Sequence, residues 1–206
     1  MYFYKEFKTC IMKTEAIDYN KLYTEARALF FENNKNYTLD RKAENLAYML
    51  ALETGLRVSD LLSLKYDDFK YKENLKKYVF TSKVKKTKNT HTGVISNELY
   101  NYIQNYIEAV TSRYNALNDL IFYNYKTNKS YTRQWLHKRI KLVSEKLGFE
   151  NCGVHSIRKA SAIKVLNSTG SLSMAQYHLT HKRATTTDKY LGVTEASALE
   201  RLAKVF

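Results

Sequence analysis

The sequence predicts an α+β domain, mainly helical, with one small antiparallel β-sheet. Three observations carry that expectation. Apolar residues recur at helical spacing over most of the chain. The period switches to strand-like alternation in one region, across LKKYVFTSKV and THTGVIS. Glycines mark several helix ends, while the chain holds no proline, so no Pro-rich linker divides it.

The elements follow in order. Residues 18–34 place Leu22, Ala26, Leu29 and Phe30 on one helical face. Thr38 or Asp40 caps the next helix, whose stripe is Ala43, Leu46, Ala47, Leu50 and Ala51 and whose end is Gly55. Residues 58–65 read as a short helix. The two strands come next, joined by the basic turn KKTKN. Residues 97–114 return to helix, with Leu99, Tyr102, Ile103, Tyr106, Ile107 and Val110 in register, and 121–123 form a brief apolar segment. Amphipathic helices span 132–147, ending at Gly148, and 155–166, ending near Gly170. Short helices cover 172–179 and 185–191. A last helix, 194–205, carries Ala198, Leu199, Leu202 and Ala203 on one face.

Composition narrows the function. With 206 residues and 44% hydrophobic content, the chain can bury a real core. Its formal net charge of +14 points to a polyanion, with nucleic acid the first candidate, although a lysine-rich genome would give part of the same excess. Cys10 and Cys152 have no metal-type spacing and read as free thiols of a reducing compartment. No run is apolar enough to span a bilayer, and the N-terminus lacks a signal peptide's core. An intracellular, cytoplasmic protein with no membrane partner is expected.

Several short patterns could carry chemistry. In TGLRVSDLLSL, Arg57 follows a helix-ending glycine, and Leu56, Leu61, Leu62 and Leu64 anchor the segment. A guanidinium on so rigid a base suits two phosphate oxygens, though it also suits a simple pair with Asp60. In HSIR, His155 and Arg158 are three residues apart, so one helix aims both at one spot. Imidazole can move a proton near neutral pH, and guanidinium can hold an oxyanion. The lysine-rich tip KVKKTKNT reads either as a solvated turn or as a basic finger bringing a general acid to DNA. In HLTHKRATTTDKYLG, His181 precedes Tyr190 by nine residues, and Thr185 or Thr186 can cap the tyrosine's helix. Tyrosine alone says little in a chain with 18 of them. A phenol, with a pKa of about 10, attacks only an electrophile that cations have activated.

Taken together, these motifs resemble the tyrosine recombinases, or phage-type integrases. The shared order is Arg in TGLRVSDLLSL, a hairpin lysine, HxxR, then LxH with a tyrosine nine residues on. The likeness runs from about residue 36 to residue 200. It implies a mainly helical catalytic domain, residues 36–206, preceded by a short N-terminal extension, 1–35, in place of the usual DNA-clamping domain. It implies that Arg57 and Arg158 clamp the scissile phosphate and that His155 and His181 assist proton transfer. Tyr190 would be the nucleophile and Asp60 a supporting residue. Aligning KTKNTHTGVIS on the family's turn puts the general acid at Lys86, with Lys83, Lys85 and Lys88 as rivals. Lys83, Lys85, Lys88, Arg133, Lys138 and Lys141 are candidate DNA contacts. The chemistry is transesterification through a 3′-phosphotyrosyl link, which needs no cofactor and no metal. A tetramer on DNA, joined through the C-terminal helix, would be the working assembly. Thr180 stands where the family commonly has glycine. The alternatives are a DNA-binding regulator on the same fold, topoisomerase chemistry, and a zinc site of His155, His178 and His181.

Overall fold

Asp18 starts the first helix by accepting a hydrogen bond from Lys21 N at 2.8 Å. The computed structural model describes residues 16–32, 38–83, 90–150, 152–179, 199–200 and 202–206. Helix α1 (Tyr19–Phe30) buries Leu22, Ala26 and Phe30 against α2 (Leu39–Thr54). It ends before the expected residue 34, where Phe31 is already half exposed to solvent.

Helix α2 is the hub. The sequence marks one apolar face, but every residue from Ala43 to Thr54 is buried. Helices α1, α4 (Asn97–Tyr114), α5 (Arg133–Lys146) and α6 (Val154–Thr169), with β3 (Thr90–Ile95), enclose it. Two carboxylates are thereby taken inside, and both are paired. Glu44 accepts from Tyr48 Oη at 2.8 Å. Glu53 accepts from Tyr23 Oη, Ser96 N and Ser96 Oγ at 2.7–2.8 Å. The Glu53 bonds tie α1, α2 and the start of α4 together, because Ser96 also caps α4 by accepting from Leu99 N.

After α2 the chain turns through Gly55, at φ 60°, into the short α3 (Val58–Leu61). The sheet runs β1 (Phe69–Lys72), β2 (Lys77–Lys83), β3, all antiparallel. Tyr78 faces Ile95 and Lys83 faces Thr90. The β2–β3 pair matches the sequence reading, whereas β1 escaped it: only Phe69 of its four residues is buried, so no alternation is visible. The two-residue strands β4 (Tyr123–Asn124) and β5 (Lys129–Ser130) are likewise too short to have a period.

A second, smaller core lies behind the sheet. Val79 and Val94 meet Ala162 and Val165 of α6, Met174 and Ala175 of α7 (Leu172–His178), Leu179 and Leu202. The part of the last helix that is described thus packs on its own molecule. The expected helix at 185–191 lies outside the described residues. No helix among the described residues is long and apolar enough to cross a membrane.

Candidate active site

Three turns converge at one end of the molecule: the α2–α3 turn with Gly55 and Arg57, the first turns of α6, and the end of α7. What joins them is Arg158. Its Nη1 donates to the Gly55 carbonyl and its Nη2 to the Leu179 carbonyl. One buried guanidinium therefore fastens the segment before Arg57 to the segment that leads into His181. Arg57 itself takes the N-cap position of α3 in an extended conformation and stays half-buried.

The charges of Arg57 and Arg158 act on one another. Burial, and then the Arg57 guanidinium, pull the Arg158 pKa down to about 9, while Asp60 opposes the shift. Arg158 remains a cation at neutral pH. With Asp60 the one carboxylate among the described residues that acts on Arg158, the two guanidiniums leave this group a net positive charge, which favours an anion. Asp60 is 1% exposed and accepts from Ser59 Oγ at 3.4 Å. His155, exposed in the first turn of α6, has its pKa lowered by partial desolvation and by Arg158, Arg133, Arg57 and His137. Arg57, Asp60, His155, Arg158 and Arg133 are thus one electrostatic neighbourhood. Lys138 and Lys141 lie exposed on α5, and Lys83 is exposed at the end of β2. Lys85, Lys86, Lys88, His181 and Tyr190 lie outside the described residues.

Two buried histidines share this site, and the resemblance to tyrosine recombinases assigns a role to neither. His178 is 2% exposed, with Nε2 2.7 Å from Ser161 Oγ. His91 is 4% exposed on β3. Burial first, then neighbouring charge, lowers each pKa to about 3: His91 and Arg158 act on His178, and Arg158 and Arg57 act on His91. Both rings are neutral at pH 7. In sequence, His91 sits in a strand and carries no motif, while His178 opens the stretch that leads to Tyr190 and enters only the alternative zinc reading. Only the packing of β3 and α7 against the arginines brings them in.

A helical domain with a three-stranded sheet and an arginine pair fastened at one end has the fold of a tyrosine recombinase catalytic domain. The model superposes on a XerH recombinase bound to its difH substrate with a TM-score of 0.69 at 20% identity. That match covers 88% of this chain and 51% of the XerH chain, so this chain spans about half of that protein. On the lambda integrase catalytic core the TM-score is 0.57 at 15% identity, covering 83% of this chain and 97% of that one. In sequence, the chain is 24% identical over 163 residues to a probable integrase/recombinase, YoeC, of Bacillus subtilis (strain 168). That alignment covers 78% of this chain and 84% of YoeC. A probable integrase/recombinase of Acholeplasma phage L2 is 26% identical, over 90% of this chain and 62% of that protein. The phage integrase family model matches residues 15–197, and the chain belongs to that family.

Proposed function

We propose that the chain is a site-specific DNA recombinase of the integrase type. It cuts and rejoins double-stranded DNA through a 3′-phosphotyrosyl intermediate on Tyr190. The observation that carries this reading is the fastening of Arg158 to the turn before Arg57 and to the segment leading into His181, with the charges of Arg57 and His155 coupled to it. The two guanidiniums hold the non-bridging oxygens of the scissile phosphate and draw charge from phosphorus. The Tyr190 oxygen forms a bond to phosphorus, losing its proton to a neutral histidine, His155 or His181. The bond from phosphorus to the 5′ oxygen breaks, and a hairpin lysine, Lys86 in the alignment, protonates that oxygen. A 5′-hydroxyl of another strand then reverses these steps. The phosphoester energy is kept in the tyrosyl link, so no nucleotide is consumed.

Lys83, Lys85, Lys88, Arg133, Lys138 and Lys141 hold backbone phosphates and orient the duplex without reading its sequence. A tetramer joined through the C-terminal helix, acting at the nucleoid, completes the reading, with residues 36–206 as the catalytic domain.

The test uses a duplex selected for tight binding from a random pool, nicked near the cleavage point to trap the intermediate. A covalent protein–DNA band on a denaturing gel is expected for the native chain and absent for Tyr190→Phe. No band from the native chain, or an undiminished band from Tyr190→Phe, removes the reading. Tight binding without any band would leave a DNA-binding regulator.

A further inference from the structure

His91 has no part in the chemistry above, yet its ring packs beside Tyr177, two residues before the Leu179 carbonyl that Arg158 holds. It faces Ser82 across the β2–β3 ladder. Its ring packs near those of Phe80 and Tyr177, with centroids 5.6 and 5.9 Å away. Its Nε2 is shut off from solvent and has no hydrogen-bond partner among the described residues. An interior nitrogen is costly to leave unpaired, so one that persists asks for a purpose. The charged groups acting on this ring are Arg158 and Arg57. A protonated ring would be repelled by both. A neutral imidazole beside two cations is favoured when it turns its lone pair, not its N–H, toward them. Donors are available: guanidinium has five N–H groups, and the Gly55 and Leu179 carbonyls take one each from the two terminal nitrogens of Arg158.

We propose that His91 is a positioning residue for the arginine pair, its buried Nε2 accepting a guanidinium N–H when the pair closes on the scissile phosphodiester. The bond would fix the clamp in the geometry that the transition state needs. This role rests on the reading of Arg57 and Arg158 as the phosphate ligands.

The test compares His91→Gln, which keeps an acceptor at similar reach, with His91→Leu, which fills the space without one. Affinity for the selected duplex should stay within about threefold of native in both, because the bond lies within the protein and the backbone-phosphate contacts that hold the duplex are unchanged. Covalent-complex formation at saturating protein should slow at least about tenfold in His91→Leu and stay within about threefold of native in His91→Gln. A space-filling role gives the opposite order, since leucine suits an apolar pocket and a buried amide does not. That order, or equal rates in all three proteins, overturns the proposal. A second readout uses the native ring, alongside Tyr190→Phe to prevent turnover. The ¹⁵N resonance of His91 Nε2 should move toward the hydrogen-bonded range when duplex is added, and an unmoved resonance also overturns the proposal. Lysine variants of Arg57 and Arg158 separate the two readings. If they react at the native rate, the phosphate reading fails. If they lose the reaction while His91→Leu keeps it, only the positioning role fails.

Discussion

Replacing Gly55 by alanine probes how tightly the turn behind the arginine pair is built. Gly55 ends α2 at φ 60°, a left-handed backbone that costs an L-residue about 1–2 kcal/mol. The new Cβ would also lie 2.7 Å from His178 Nε2, 2.8 Å from His178 Cδ2 and 3.3 Å from Ser161 Oγ. Those atoms are a buried, hydrogen-bonded pair, so neither can swing into solvent. Overpacking of this kind costs typically about 1–3 kcal/mol. The sum is about 2–5 kcal/mol of destabilisation, a large share of a small domain's stability. Gly170 is the internal control. It has nearly the same backbone, φ 63°, and a Cβ there meets nothing within 4 Å. Gly170→Ala should therefore cost only the backbone share, about 1–2 kcal/mol. Urea unfolding, read from midpoints at unchanged m, measures both. Equal losses in the two variants would refute the steric argument. The Gly55 carbonyl also accepts from Arg158, so Gly55→Ala should slow covalent-complex formation and Gly170→Ala should not.

Three further outcomes follow from the same site. His91 and His178 have folded pKa values of about 3, below the ordinary histidine value, so protonation favours the unfolded chain. Their neutral forms stabilise the fold fully above about pH 6.5, and that stability falls as pH drops toward 3. At about pH 5 the loss is about 2 kcal/mol for one such histidine and about double that for the two, since neither is protonated in the folded chain at that pH. Urea midpoints that stay flat from pH 7 to pH 5 would contradict this. Arg158→Lys should destabilise by about 2 kcal/mol, because one ammonium cannot span the Gly55 and Leu179 carbonyls; chemical denaturation reads it, and a native midpoint would count against the fastening role. DNA affinity should fall steeply with salt, and Arg133→Ala or Lys83→Ala should each lower the log–log slope by about 1. An unchanged slope in both variants would remove them from the phosphate contacts.

Much of the fold was legible in the chain. Residues 97–114 repeat apolar side chains at helical spacing between Ser96 and Asn115, and the helix has those bounds. Gly55 and Gly170 mark the ends of α2 and α6, where both take left-handed backbone. The change of period located β2 and β3, although both faces are covered where the strands pair: Phe80 and Ile95 enter the main core, Val79 and Val94 the smaller one. Strand β1 has almost no buried side and left no trace. Helix α2 was half read: an apolar stripe predicts one packed face, and nothing local announces that five other elements close around it.

The site divides in the same way. The order of Arg57, His155 and Arg158 along the chain, and the type of chemistry those side chains suit, were already present in the sequence. A reactive group is recognised by its own atoms and by neighbours a helical turn away. The bonds from Arg158 to two carbonyls, 103 and 21 residues distant, belong to tertiary structure alone. So do the burial of His91 and His178 and the neutral state it imposes. Desolvation and charge–charge coupling depend on distance in space, and local sequence does not encode that distance.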